Sequence, residues 1–185
     1  MEKNLGKIGD GTSSVVYNVD EHIVLKGRHA FVRRASDDSP KQHLHFATNT
    51  VECYSIMKDE CIVYRVLEQH PHPNLAKHID IDHDEGLYLW KYQALSNFPI
   101  PAQATRILWY QDILSALLHL HSLGIIHSDI CMDNILFLSQ HHAILSDFGF
   151  CCCTGESNYS FRFPGKPVQL NGLAETKSEA TDMFL

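Results

Sequence analysis

His127-Ser128-Asp129-Ile130-Cys131-Met132-Asp133-Asn134 and, beyond a short apolar stretch, Asp147-Phe148-Gly149 set two aspartates and an asparagine at a spacing suited to phosphoryl transfer. In that chemistry a carboxylate takes the proton of an attacking hydroxyl, while hard oxygen ligands hold the Mg²⁺ that neutralises a triphosphate. Asp129 is the expected proton acceptor, and Asn134 and Asp147 are the expected Mg²⁺ ligands. Positioning and charge neutralisation would then do most of the catalysis.

A second constellation lies near the start of the chain. Ile8-Gly9-Asp10-Gly11-Thr12-Ser13-Ser14-Val15-Val16 puts two glycines where a backbone could approach phosphates, with Ser14 where a third would complete G-x-G-x-x-G. Taken alone, an ordinary tight hairpin explains the loop equally well. The next apolar strand, Ile23-Val24-Leu25-Lys26, ends in a lysine that needs an anion, because an unpaired ammonium is costly to bury. Glu60 is the expected partner, with Glu52 and Glu68 as rivals. Such a pair would hold the α and β phosphates in register.

The elements that must position these groups are legible in outline. Val15 to Val19 and Ile23 to Lys26 read as a hairpin around Asp20-Glu21-His22, and residues 27–50 read as a polar, exposed loop. Helical spacing follows at Cys53, Ile56, Glu60, Val63, Tyr64 and Leu67, ending at His70-Pro71. Leu75 to Asp82 and Leu87 to Tyr92 read as strands around His83-Asp84-Glu85-Gly86, completing an antiparallel sheet of about five strands. After Phe98-Pro99-Ile100-Pro101, Thr105 is expected to cap a helix whose apolar face carries Ile107, Tyr110, Leu114, Leu117, Leu118 and His121, closed by Gly124. Ile135 to Phe137 and Ala143 to Leu145 predict a short hairpin. The expected fold class is α+β, with a small sheet lobe over residues 1–92 and a helical lobe over 93–185.

Bulk properties narrow the class further. The chain has 185 residues, 44% hydrophobic and 20% charged, so one globular domain or two small lobes fit. No apolar run is long enough to span a bilayer, and Met1 to Lys7 lacks a signal-like apolar core, so an intracellular, cytoplasmic location is expected. A formal charge of −7, with only Arg28, Arg33 and Arg34 clustered, argues against a nucleic-acid partner. Six cysteines show no disulfide spacing and are expected to be reduced, and neither they nor the 13 histidines show structural zinc spacing.

In order and spacing these motifs resemble a eukaryotic-type protein kinase domain. Ile8 to Val16 is similar to the glycine loop, Ile23 to Lys26 to V-A-I-K, His127 to Asn134 to H-R-D-L-x-x-x-N, and Asp147 to Gly149 to D-F-G. Glu60-x-x-x-Tyr64-x-x-Leu67 before His-Pro is also similar to small kinase-like proteins of filamentous fungi. The resemblance implies ATP and Mg²⁺ as cofactors and a protein substrate. It implies that Val16, Val24 and Leu136 meet adenine, that Trp90 guards the back of the pocket, and that Lys91-Tyr92-Gln93 form the hinge. Tyr64, His127 and Phe148 would stack in a regulatory spine, and Asp182, in Thr181 to Leu185, would support the catalytic-loop backbone from the start of a central helix.

Three departures accompany it. Ser128 replaces the arginine of H-R-D, so an activation-segment phosphate would need another basic partner, and Cys131 replaces a cation near the γ-phosphate. No Ala-Pro-Glu follows; Phe163-Pro164-Gly165 and Ala174-Glu175-Thr176 are partial substitutes. The chain ends where further helices of a kinase lobe would begin, which predicts an apolar patch on the Ile107 to Leu118 helix and a partner to cover it. Three functions fit: a serine/threonine protein kinase, a catalytically weak nucleotide-binding scaffold, or a small-molecule phosphotransferase. Phe148-Gly149 and Gly9-x-Gly11 favour the first over the third.

Overall fold

The computed structural model of the chain describes residues 5–29, 39–155 and 177–182. It divides into two compact units, residues 1–64 with 77–91, and residues 65–76 with 92–185. The first contains β1 (Gly6–Asp10), β2 (Ser14–Asn18), β3 (Ile23–Arg28), β4 (His78–Asp80) and β5 (Leu87–Trp90). They form one antiparallel sheet in the order β1-β2-β3-β5-β4. Asp20 closes the β2–β3 turn by accepting the N–H groups of His22 and Ile23 at 2.7 and 2.8 Å, the local hydrogen bonding that makes Asp a turn residue.

Helix α1 (Pro40–Gln69) begins eleven residues earlier than the polar pattern predicts. Its first turns are almost wholly exposed, so no apolar period marks them. The start signal is local instead. Ser39 Oγ accepts the Gln42 N–H at 3.2 Å while Gln42 Oε1 receives the Ser39 N–H and hydroxyl, and Pro40 fills the first helical position. Farther along, Cys53, Ile56, Met57, Glu60, Val63, Tyr64 and Leu67 are buried. Tyr64 packs edge-on to His78, and Cys61 Sγ reaches the Ile81 carbonyl, which seats this part of the helix against the sheet.

A second correction concerns Leu75 to Asp82. Only His78–Asp80 joins the sheet, while Leu75 and Ala76 belong to the second unit, where Leu75 makes a parallel bridge to Leu145 and Ala76 N donates to the Leu145 carbonyl. That second unit holds α2 (Gln103–Ser122), β6 (Ile125–Ile126), β7 (Ile135–Ser139), β8 (His142–Leu145), β9 (Cys152–Cys153) and α3 (Glu179–Asp182). β7 pairs with β8 and β6 with β9, both antiparallel.

Helix α2 packs on β8 and β6 through Trp109, Ile113, Ala116, Leu117 and Leu120. Of the predicted apolar face only Leu117 is buried; Ile107, Tyr110, Leu114 and Leu118 form an exposed stripe. The helix is apolar on most sides, so periodicity alone could not choose the face. Ala116, fully buried, belongs to the packed side. Thr105 is not the cap: the helix starts after Ala102 without a side-chain cap, and Thr105 is buried in its first turn. Gly124 does close it, in the left-handed region at φ 73°. No helix among the described residues is long and apolar enough to cross a membrane.

The segment after α1 is fastened to α2 by two stacked histidines, His72 and His119, with ring centroids 4.9 Å apart. His72 Nδ1 accepts the Asn74 N–H, His72 Nε2 lies 3.3 Å from Ser115 Oγ, and His119 Nε2 donates to the His70 carbonyl. Burial, and then the charge of His119, push the His72 pKa down against the opposing pull of Asp112. A group depressed in the folded chain binds protons more readily when unfolded, so stability falls as pH drops below the ordinary histidine value of about 6.5. His72→Gln should therefore flatten the acid side of the stability profile, read as urea midpoints across that value; an unchanged slope contradicts this. Gly86, at φ 142°, has room for no side chain: an added Cβ would lie 2.4 Å from the Lys26 carbonyl oxygen. Gly86→Ala should lower unfolding stability by roughly 2 kcal/mol or more, and an unshifted thermal midpoint would show that the turn can relax.

Candidate active site

In the first unit, β3 carries Lys26 into a buried position facing Glu60 of α1. Lys26 Nζ donates to Glu60 Oε1 and Oε2 at 2.9 and 2.7 Å, and the two residues are 6% and 1% exposed. Glu52 and Glu68, the rival partners, are exposed. Two hydrogen bonds to one ammonium are what keeps such a buried charge tolerable. The pair is therefore a rigid cation mount with its counter-charge built in.

Strand register decides what shares a face with that lysine. Val16 and Leu87 pair directly with Lys26, and Val24 pairs with Leu89. Because side chains alternate, Val16, Val24, Lys26 and Leu89 lie on one face, while Trp90, paired with Ile23, lies on the other. Trp90 is 47% exposed. Leu89, and not Trp90, therefore shares the face of Val24 and Lys26. Of the predicted hinge, Lys91 donates its N–H to the His22 carbonyl and its Nζ to Asn18, whereas Gln93 exchanges both backbone hydrogen bonds with Phe137 at 2.9 Å. In the glycine loop, Ile8 and Gly11 are exposed and Gly9 packs on Val16.

In the second unit the predicted site residues sit between β6 and β7 and just after β8. Asn134, buried at a short 3-10 turn, donates both protons of Nδ2 to Asp129, one to its carbonyl and one to Oδ2, each at 2.9 Å. The carboxylate is thereby oriented, and Oδ1 remains as the asparagine's oxygen donor. Together with the Asp147 carboxylate this is a hard oxygen set that fits Mg²⁺. Asp147 adopts φ 64° and its Oδ1 faces the Gly149 N–H at 3.4 Å. Leu136, on β7, is half-buried.

The loop before Asp129 is braced from beneath. Asp182, 4% exposed, accepts the His127 N–H at Oδ2 (2.8 Å) and the Ser128 N–H at Oδ1 (2.7 Å), and His121 Nε2 lies 2.8 Å from Oδ2. His127 is fully buried against Phe148, ring centroids 5.8 Å apart. Its Nδ1 accepts the Asp129 N–H, so Nε2 carries the proton and donates to the Ser146 carbonyl at 3.1 Å. Burial pushes the His127 pKa down and outweighs the carboxylates of Asp182, Asp147 and Asp129 and the Ser146 carbonyl.

Residues 3–166 match the protein kinase domain family. The chain belongs to the protein kinase family. It is 31% identical to the serine/threonine-protein kinase ste20 of Aspergillus fumigatus over 186 aligned positions, covering 95% of this chain and 21% of that protein. The serine/threonine-protein kinase pakA of Talaromyces marneffei is 30% identical over 186 positions, covering 95% and 26%. The serine/threonine-protein kinase SMU1 of Mycosarcoma maydis is 49% identical over a shorter 47 positions, 25% of this chain and 6% of that one. The chain thus spans about a fifth to a quarter of the length of the first two relatives.

Within this kinase family domain the departures have visible neighbours. Ser128, at φ 67°, places Oγ 3.3 Å from Cys152 Sγ, and Lys177 Nζ donates to the same Oγ at 3.3 Å. A lysine therefore stands beside the position that lost its arginine. Cys131 is exposed, and partial burial pushes its thiol pKa up, leaving it neutral where a cation is expected. Arg33, Arg34, Phe163-Pro164-Gly165 and Ala174-Glu175-Thr176 lie outside the described residues.

Some supporting residues carry no chemical signature in the sequence. Buried Asn74 donates to the Ala143 carbonyl at 3.0 Å and accepts the Leu145 N–H, and Asp112 accepts the Ala143 N–H. The turn-forming type of Asn74 was legible, its burial was not. Since Asp182 receives two consecutive amides and a histidine, Asp182→Ala should destabilise the second unit by roughly 3 kcal/mol or more and speed exchange of the His127 and Ser128 amides. Unaltered exchange at those two amides would show that the loop holds itself.

Proposed function

We propose that this chain transfers the γ-phosphoryl group of Mg-ATP to serine or threonine hydroxyls of a protein substrate. The observation that carries the reading is Asn134, whose amide orients the Asp129 carboxylate at 2.9 Å while its remaining oxygen stays available to a hard cation. The names of the relatives, serine/threonine-protein kinases, support the acceptor class.

Each residue has a role in this reading. Asp129 accepts the proton of the attacking hydroxyl, and its geometry is held by the Asn134 amide and by the His127 ring, whose Nδ1 accepts the Asp129 N–H. Lys26, fixed by Glu60, meets the α and β phosphates. Ile8, Gly9 and Gly11 cover the phosphates, and Val16, Val24 and Leu136 meet adenine. At the hinge, Lys91-Tyr92-Gln93 run beside the purine edge, with the Lys91 and Gln93 N–H groups given to the His22 and Phe137 carbonyls. Asn134 and Asp147 would hold Mg²⁺, which supplies neutralisation of phosphate charge when bound. The exposed stripe Ile107, Tyr110, Leu114 and Leu118 is the surface a protein partner would cover.

A second reading, a nucleotide-binding scaffold with little transfer, is favoured by Cys131, which brings a neutral thiol where a cation would assist. Asp129→Asn distinguishes the two. It should lower transfer about 100-fold or more while leaving nucleotide affinity nearly unchanged, and transfer that survives the substitution rules out Asp129 as the base. Mg-ATP at about 100 times its dissociation constant should add roughly 2.7 kcal/mol to unfolding stability. In Asp147→Asn that Mg²⁺-dependent gain should be lost; a gain of equal size in the variant removes Asp147 from the metal site.

A further inference from the structure

His29, the residue after β3, reaches back to the tip of the glycine loop. Its Nε2 lies 2.7 Å from the Gly11 carbonyl oxygen and 3.3 Å from Asp10 Oδ1, and its backbone N–H donates to the Ser13 carbonyl at 3.4 Å. A carbonyl oxygen at that distance only accepts, so Nε2 carries the proton. The β2–β3 ladder ends at the Ser14 and Arg28 pair, so the imidazole fastens the loop just where strand pairing stops. Asp10 is held in turn by Lys7: their hydrogen bond keeps the Asp10 carboxyl below its usual range, with further Coulombic help from Lys7 and His29. Within the loop, Gly11 N–H donates to the Ser14 carbonyl at 2.9 Å.

The consequence for a phosphate ligand comes from peptide geometry. A trans peptide is planar, so its C=O and the following N–H point in opposite directions. Anchoring the Gly11 carbonyl to His29 therefore turns the Thr12 N–H to the other side of the loop. We propose that His29 is a positioning residue for the nucleotide: by latching Gly11 and Asp10 it pre-orders the loop tip so that the Thr12 amide is presented to phosphate oxygens. This rests on the Mg-ATP reading above. A loop ordered before the ligand arrives does not charge its ordering entropy to binding, so the latch acts on affinity and not on the transfer step. A glutamine amide can donate to the Gly11 carbonyl as the imidazole does, whereas alanine cannot.

Three readouts on the whole chain test it, one without nucleotide, one with Mg-ADP and one in turnover with ATP. In His29→Ala, hydrogen exchange at the Gly11 amide should accelerate, and the Mg-ADP dissociation constant and the KM for ATP should rise roughly 3- to 10-fold with kcat little changed. His29→Gln should restore all three. Unaltered Gly11 exchange in His29→Ala, or a glutamine variant as impaired as alanine, overturns the latch. Faster exchange with an unchanged dissociation constant overturns its role in nucleotide affinity. If the unsubstituted chain binds no Mg-ADP while exchange still accelerates in His29→Ala, the latch stands and the Mg-ATP reading falls.

Discussion

Asp182 places its two carboxylate oxygens on the consecutive N–H groups of His127 and Ser128, and Ser128 is left-handed at φ 67°. A non-glycine residue in that region costs about 1 to 2 kcal/mol, whereas charge-assisted hydrogen bonds to a buried carboxylate return roughly 1.5 to 3 kcal/mol each. The strained turn therefore persists because the buried anion over-determines it. From there the order propagates without a break: His127 takes the Asp129 N–H and gives its own proton to Ser146, Ser146 donates to the Asn134 carbonyl, and the Asn134 amide returns to Asp129. The circuit closes on the group that needs orientation.

The first unit meets the opposite electrostatic problem with the same logic. There the buried group with chemical purpose is a cation, Lys26, and the supporting charge comes from Glu60, far away in sequence. Each unit thus buries one ionised group against a dedicated partner supplied by a different element. Apolar packing makes those meetings reproducible. Trp109 and Phe98 pack on the fully buried Phe137 from β7, while Trp109 Nε1 still finds the Gln140 carbonyl. Aromatic area and a satisfied indole N–H together hold β7 and α2 in one arrangement.

What could be read from the residues in advance was the five-stranded sheet and the pairing of Lys26 with Glu60, because the spacing of apolar residues marks both the strands and the buried side of α1. Lys26 in an apolar strand demanded an anion, and Glu60 stood at the helical spacing of buried residues. The apolar face of α2 was misread because Leu, Ile, Tyr and Trp surround that helix, and periodicity carries no information where hydrophobicity is nearly uniform. The early turns of α1 were missed for the converse reason, since polar residues all round look like a loop; the Ser39-Pro40-x-Gln42 signature was present and outweighed by composition. Trp90 against Leu89 depended on a parity that only the paired strands reveal. His29 gave no signal at all, because its importance lies in a carbonyl it meets eighteen residues back in the chain.

Gly86 sets that parity. Its missing side chain lets the backbone entering β5 lie against the Lys26 carbonyl, which makes the turn a stop for the strand's sliding coordinate. Side chains in a strand alternate with a period of two, so a slip by a single residue would not loosen the face beside the lysine but exchange it. Leu89 would leave and Trp90 would arrive, turning an aliphatic wall into an indole one. The make-up of the lysine face is in this sense stored as a frame, in the way a reading frame stores a message, and a residue with no side chain keeps it in phase.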